Sequence, residues 1–103
     1  MALSQTFRQA VLNGSATPTP LRELGLSGRS NAYLDEGVCA MLVDRKSRFL
    51  RKDAELFVDV LAAARHHAGH DLAGVVFIRK APVCSQARAW LEGQGITVET
   101  VDA

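Results

Sequence analysis

Two acidic positions and a lysine have the residue types and the order that metal-assisted hydrolysis needs. Asp35 and Glu36 precede an apolar run, which is followed by Asp44-Arg45-Lys46. Two carboxylates can hold a divalent metal ion that activates a water molecule, while a lysine positions the attacking oxygen. This chemistry requires Asp35 or Glu36 to meet Asp44 and Lys46 in one cleft, with Mg²⁺ as the expected cofactor.

The order of these residues resembles the catalytic core of restriction-endonuclease-like proteins, in which an acid precedes a strand that ends in Asp/Glu-x-Lys. The resemblance implies a metal-dependent nuclease with the catalytic residues named above. The competing interpretation is a charged hairpin turn, which is the commonest origin of such residues between two apolar segments. We favour the turn and keep the nuclease as the alternative function.

A basic cluster overlaps this motif. The segment 44–52 contains five of the twelve Lys and Arg residues with a single acid, in a chain whose net charge is only +1. Such a segment can grip a phosphate backbone while an aromatic ring stacks on a base. The competing explanation is a charged hairpin that prevents a sheet edge from pairing with another chain. The candidate binding residues are Arg45, Lys46, Arg48, Phe49, Arg51 and Lys52.

A further candidate contact comes from an earlier segment. Residues 21–30, followed by Leu34 and Gly37, are similar to part of the C-terminal domain of bacterial RNA polymerase alpha subunits, where Leu-Ser-x-Arg-Ser belongs to a helical turn that contacts DNA. The resemblance implies that Arg29 contacts a phosphate or the minor groove. We therefore add Arg29 to the candidate binding surface.

Cys84 lies near the predicted start of a helix, where unpaired backbone N–H groups and the nearby Lys80 favour a thiolate. Residues 75–84 resemble the opening strand and helix of glutaredoxins, which carry Cys-Pro-x-Cys at this turn. Ala81 replaces the first cysteine of that motif, so the exchange chemistry of the family has no attacking sulfur. We rank a reactive thiol at Cys84 third and favour a structural role.

The histidines form one cluster, at residues 66, 67 and 70. His66 and His70 are four residues apart, a metal-binding spacing on an intact helix, but Gly69 is expected to end the helix between them. A solvated helix end explains the cluster better, because partly charged histidines interact well with the helix dipole there. Apart from Mg²⁺ in the nuclease alternative, we predict neither a metal site nor a cofactor.

Helices and strands must position these residues. The nearly continuous apolar run 74–79 and the segment 96–101 predict strands, and 82–92 predicts the helix between them. Such a unit has parallel strands if both belong to one sheet. Apolar residues at helical spacing predict another helix over 53–68, with Asp53 as its cap.

The N-terminal half is less regular. Residues 4–13, a short segment after Pro20, and residues 27–36 have the caps and glycine ends of helices, which predicts a helical N-terminal part. Residues 38–43 are all apolar. We favour a β-hairpin that pairs this strand with residues 48–51 over a continuous helix.

Length and composition bound the class of protein. At 103 residues, with 48% hydrophobic and 22% charged residues, the chain is predicted to form one compact domain over 1–103, with a helical part at 1–36 and the core at 37–103. No segment approaches the roughly 18 apolar residues of a membrane span, and two cysteines are too few for a disulfide framework. We therefore expect a cytoplasmic protein without a membrane partner.

The predicted fold class is α/β or α+β, with a small mixed sheet, a C-terminal βαβ unit, short N-terminal helices and a β-hairpin. The predicted function is a small, non-catalytic binding or accessory protein of bacterial type. Its expected partner is a nucleic acid or a protein, bound through the basic hairpin. A homodimer through the hairpin or the last strand is a further hypothesis, because short chains with exposed sheet edges often pair.

Overall fold

The computed structural model describes residues 5–26, 31–35 and 37–101. These residues form a five-stranded mixed sheet with helices on both faces. The helices are α1 (Gln5–Asn13), α2 (Arg51–Ala68) and α3 (Ser85–Gly93), with a turn of 3-10 helix at Leu21–Leu24. The strands are β1 (Thr19–Pro20), β2 (Asn31–Asp35), β3 (Val38–Asp44), β4 (Ala73–Arg79) and β5 (Thr97–Val101).

The strands follow one another across the sheet in the order β1-β2-β3-β4-β5. The first three are antiparallel neighbours, whereas β3, β4 and β5 are parallel. Parallel neighbours need a crossover connection, and α2 and α3 provide the two that are required. The predicted mixed sheet and its C-terminal βαβ unit are therefore confirmed. No helix in the described part of the chain combines the length and the apolarity needed to cross a membrane.

Both faces of the sheet are covered, which explains the nearly continuous apolar sequences of β3 and β4. Successive side chains of a strand point to opposite faces, so β3 contributes Cys39 and Met41 to the core under α2 and α3, and Val38 and Ala40 to the core under α1. On the α1 side, Arg8 also forms an ion pair with Glu99 of β5. The result is a three-layer arrangement of α1, the sheet, and the α2–α3 pair.

Gly74 allows α2 to lie close to the sheet at the start of β4. A Cβ atom at this position would come within 2.8 Å of Leu61 Cδ2 and 3.2 Å of both Ile96 Cγ1 and Phe57 Cε2. These three side chains are buried, so the space above Gly74 is already filled by the core.

Two predictions for the region before α2 are wrong. The helix predicted over 27–36 is not formed in its described part, because residues 31–35 are strand β2; residues 27–30 and Glu36 lie outside the described residues. The strand predicted at 38–43 exists, but its hairpin partner is β2, with Gly37 in the left-handed conformation (φ 76°). Local helix-capping signals are weak compared with the backbone hydrogen bonds and burial that pairing with β3 supplies.

Residues 48–51 are consequently not a strand. Phe49 forms an isolated parallel bridge with Val83: its N–H donates to Pro82 O over 2.8 Å, and its carbonyl accepts from Cys84 N–H over 3.0 Å. This bridge joins the β3–α2 loop to the segment before α3. Because β3 is central and the sheet ends at β1 and β5, a homodimer through a basic hairpin loses its structural basis, and one through the last strand stays a prediction.

The two crossover helices end and begin close to their predicted positions. Gly69 terminates α2 as predicted, whereas Asp53 is the third helical residue and its carboxylate accepts a hydrogen bond from Leu50 N–H over 2.8 Å. Helix α3 begins at Ser85, later than Pro82, with Cys84 as its N-cap residue. Asp53 therefore caps α2 from within its first turn.

Two glycines at helix ends should respond in opposite ways to replacement by alanine. Gly69 has a φ of 78°, and a Cβ atom would meet nothing within 4 Å, so Gly69→Ala should lower the free energy of unfolding by about 1 kcal/mol through backbone strain alone. Gly93 is the last residue of α3, its φ is not positive, and a Cβ atom there would also meet nothing within 4 Å. Gly93→Ala should therefore raise the free energy of unfolding by about 0.5 kcal/mol. Urea unfolding followed by circular dichroism measures both, and shifts of the same sign would contradict this account.

Candidate functional site

The carboxyl ends of the parallel strands β3 and β4 meet at one edge of the sheet. Their register pairs Asp44 with Arg79, so the loops that follow the two strands begin side by side. Ligands of α/β sheets commonly bind outside the carboxyl ends of the strands. We call the segments 44–53 and 79–80 the basic edge. They contain seven of the twelve Lys and Arg residues and two acids: Arg45, Lys46, Arg48, Arg51, Lys52, Arg79 and Lys80, with Asp44 and Asp53.

Arg79 and Lys80 belong to this edge but were not predicted as binding residues. Their signal in the sequence is that both follow an apolar strand, as Asp44 does, and only the parallel pairing of the two strands brings them together. Asp44 lies 3.5 Å from Arg79 Nη1 and 3.6 Å from Lys80 Nζ. Arg79 Nη2 also donates to Leu12 O of α1 over 2.7 Å, so Arg79 connects the edge to the opposite layer.

Arg45 organises the loop between β3 and α2. Its Nε atom donates to Ser47 O over 3.3 Å, and its Nη2 atom donates to Arg48 O over 3.2 Å and to Asp53 Oδ2 over 2.7 Å. The loop is thus wrapped around one guanidinium group and attached to the first turn of α2. Arg45 therefore has a structural role in addition to its charge.

Arg51 is engaged in a similar way. Its guanidinium carbon lies 4.2 Å from the centroid of the Trp90 ring, and its Nε atom lies 3.2 Å from Glu55 Oε2. A guanidinium on an aromatic face at this distance is an attractive cation–π contact. Arg51 therefore joins α2 to α3 and leaves half of its side chain exposed.

Three cations of the basic edge have no such partner. Lys46, Arg48 and Lys52 are exposed. Within the described parts of the chain, their side chains form neither an ion pair nor a hydrogen bond. Among the described members of the predicted binding set, they are the cations that are free to meet a charged partner.

Phe49 corrects the predicted binding set. Its side chain is 1% exposed and belongs to the core under α2 and α3. The bridge to Val83 holds its backbone against the segment before α3, and the ring fills the interior. A buried ring cannot stack on a base, so Phe49 supports the loop and is not a contact residue.

Asp35 and Asp44, the two described acids of the nuclease alternative, are not brought together. Asp35 pairs with Val38 at the start of β3, whereas Asp44 is its last residue. Six residues at about 3.3 Å each separate the two positions by about 20 Å, too far to share one metal ion. Glu36 and Arg29 lie outside the described residues, and Lys46 follows Asp44 in the loop.

The described residues also do not fit a magnesium ion at Asp44. Mg²⁺ is usually held by one or two carboxylates, but the Asp44 carboxylate lies between the cations of Arg79 and Lys80. Those two positive charges oppose the binding of a further cation at the carboxylate. Among the residues that the structure describes, no group of three or more His, Cys, Asp or Glu side chains has a metal-binding arrangement, including the histidines near the end of α2.

Cys84 lies beside the basic edge. The backbone N–H groups of Ala87 and then Gln86, in the first turn of α3, lower the pKa of its thiol. Burial opposes them with a smaller effect, and the charge of Arg48, smaller still, also lowers the pKa. The cation that acts on the thiol is Arg48 and not Lys80, and the reactivity of Cys84 stays a prediction.

Comparison with known proteins identifies a fold. No protein-family model matches the chain, and no curated protein matches it. Among solved structures, the chain is similar to a repair endonuclease from Pyrococcus abyssi, with 10% sequence identity and a TM-score of 0.59. The match covers 99% of this chain and 48% of the endonuclease chain, so the described fold corresponds to about half of that protein. At this identity, the similarity establishes a shared fold.

Proposed function

We propose that this chain is a non-catalytic nucleic-acid-binding module that contacts the phosphate backbone through its basic edge. The observation that carries the proposal is the segregation of charge. The basic edge has seven cations and two acids, while the rest of the chain has five Lys and Arg residues and nine Asp and Glu residues. The net charge of +1 is therefore the sum of a strongly positive edge and a negative remainder of the chain.

The form of this edge suits phosphates. Lys46, Arg48 and Lys52 are exposed and unpaired within the described residues, and a polyanion can neutralise them by displacing its own counterions. Arg45 and Arg51 are held by Asp53 and by Trp90, which fixes the loop that presents the free cations. The endonuclease that shares the fold is named for action on nucleic acid, which is compatible with such a partner.

The positions of Asp35 and Asp44 support binding without cleavage. Asp35 is about 20 Å from Asp44 along β3, and the Asp44 carboxylate is paired with Arg79 and Lys80. The nuclease alternative places both carboxylates on one metal ion. The described residues therefore offer the positive charge that suits a nucleic-acid partner, and they do not place Asp35 and Asp44 together as a nuclease would need.

Removing two free cations should weaken nucleic-acid binding. We expect Arg48→Ala with Lys52→Ala to reduce affinity for a labelled DNA oligonucleotide by about tenfold to a hundredfold at low salt, because two phosphate contacts are lost. The slope of log K against log salt should also become shallower by about two. Fluorescence anisotropy titrations across a salt series measure both quantities.

The matched control makes the same change of net charge at the opposite edge. His66→Glu with His67→Glu in the last turn of α2 lowers the net charge by two, with histidine counted as neutral, and should leave affinity nearly unchanged. Equal losses in the two double variants, or a wild-type protein that binds an acidic polypeptide but no DNA or RNA, would refute the proposal. Mg²⁺-dependent cleavage abolished by Asp44→Asn would instead establish the nuclease.

A further inference from the structure

We infer that a cavity in the basic edge binds a phosphomonoester, so that the module recognises the phosphorylated end of a nucleic-acid strand. This inference rests on the proposed function and specifies which part of the nucleic acid the edge selects. The cavity lies between the β3–α2 loop and the first turn of α2, with a volume of about 270 Å³. It is lined by Arg45, Ser47, Arg48, Leu50, Lys52 and Asp53.

The charge of the lining points to a monoester. Three cations and one acid line the cavity, which gives an excess of two positive charges. A phosphomonoester carries about −1.5 to −2 at neutral pH, whereas each internal phosphodiester carries a single negative charge. A terminal phosphate therefore neutralises the lining more completely than an internal phosphate does.

The cavity is also preorganised. Arg45 holds the carbonyl groups of Ser47 and Arg48 and the carboxylate of Asp53, so the loop is ordered before a ligand arrives and less entropy is lost on binding. Asp53 already accepts from Leu50 N–H at the start of α2. The groups left to hold the phosphate are the side chains of Arg48 and Lys52, with the Ser47 hydroxyl as a further donor.

The cavity is large enough for this ligand. A single water molecule needs roughly 10–15 Å³ of such space, so about 270 Å³ accommodates a phosphate group and part of the attached sugar. Leu50 in the lining is 39% exposed and offers an apolar surface beside the charged groups. The phosphorylated sugar at a strand end combines a charged phosphate group with a less polar sugar face.

Affinity for oligonucleotides that differ only in their ends tests the inference. We expect an oligonucleotide with a 5′- or 3′-phosphate to bind about tenfold more tightly than the same strand with hydroxyl ends, as charge-assisted hydrogen bonds are gained. The ratio should fall toward one in Arg48→Ala and in Lys52→Ala. In Lys46→Ala, both affinities should drop while the ratio is kept, because Lys46 is an exposed cation of the same loop that does not line the cavity. The ratio should also decrease below about pH 6, where the monoester dianion takes up one proton and loses one negative charge.

The outcomes separate this inference from the proposed function. Equal, salt-dependent binding of phosphorylated and hydroxyl strands would overturn the monoester site and leave the nucleic-acid module intact. Binding of neither strand would overturn both. Inorganic phosphate and a 5′-mononucleotide, used as competitors, distinguish a strand end from a free phosphate, since the inference requires the phosphorylated strand to bind more tightly than either one.

Discussion

Replacing Phe57 with alanine should lower the free energy of unfolding by about 3–5 kcal/mol, the usual cost of removing a fully buried aromatic side chain. Phe57 is 0% exposed in the middle of α2, and its ring would lie 3.2 Å from a Cβ atom at Gly74 of β4. The ring therefore packs directly on the sheet, at the start of β4. Its removal leaves a cavity that Leu61 and Ile96, the other neighbours of Gly74, cannot fill without moving.

The adjacent leucine is the matched control. Leu56 is on the same helix but is 41% exposed, so Leu56→Ala should cost less than about 1 kcal/mol. Urea unfolding followed by circular dichroism gives both values, and Phe57→Leu provides a measurable intermediate if Phe57→Ala does not fold. Comparable costs at positions 56 and 57 would show that α2 does not pack on the sheet through this face.

The C-terminal half of the fold was predictable because its signals are local. The apolar run of β4, the helical spacing in α2 and Gly69 at the end of that helix each identify an element without reference to distant residues. The parallel order of β4 and β5 then follows from the crossover helix. Sequence patterns predict such a unit well since each level of organisation agrees with the next.

The region before α2 was not predictable in the same way. Residues 31–35 have the sequence of a capped helix end, yet they pair with β3, and the energy of that pairing comes from residues that local patterns do not include. The same limit applies to Phe49, whose position among basic residues predicts a ring that is exposed for stacking. Phe49 forms a one-residue bridge with Val83, more than thirty positions away in the chain, and its side chain is buried in the core.

One part of the candidate site was predictable from local sequence, and another part depended on strand pairing. The cluster at 45–52 is visible in the sequence as charge density, and the structure places it at the carboxyl edge of the sheet. The addition of Arg79 and Lys80 required the register of β3 with β4. The separation of Asp35 from Asp44 required the pairing of β2 with β3, because the order of these residues in the sequence does not say which end of a strand each one occupies.

The two cysteines should differ by at least about a thousandfold in their rate of alkylation in the native protein. Cys39 is 0% exposed in β3, and burial raises the pKa of its thiol to about 12 from an ordinary value of 9.0, against a smaller opposing effect of the Arg65 charge. Because the thiolate is the reactive form and each pKa unit changes its fraction tenfold, the shift alone suppresses the reaction by about 10³ at neutral pH. At Cys84, the N–H groups of Ala87 and Gln86 lower the thiol pKa, and the side chain is partly exposed.

Single serine variants assign the two rates. Cys84→Ser should abolish fast labelling by iodoacetamide at neutral pH, whereas Cys39→Ser should leave it unchanged and remove the slow thiol that reacts only in urea. A second consequence concerns stability at high pH. Between about pH 9 and pH 12 the unfolded thiol of residue 39 loses its proton while the native one keeps it, so stability should fall as pH rises, and less steeply in Cys39→Ser. Two thiols labelled at similar rates in the native protein would mean that β3 is open to solvent, and no native labelling at all would mean that Cys84 is not at an exposed helix start.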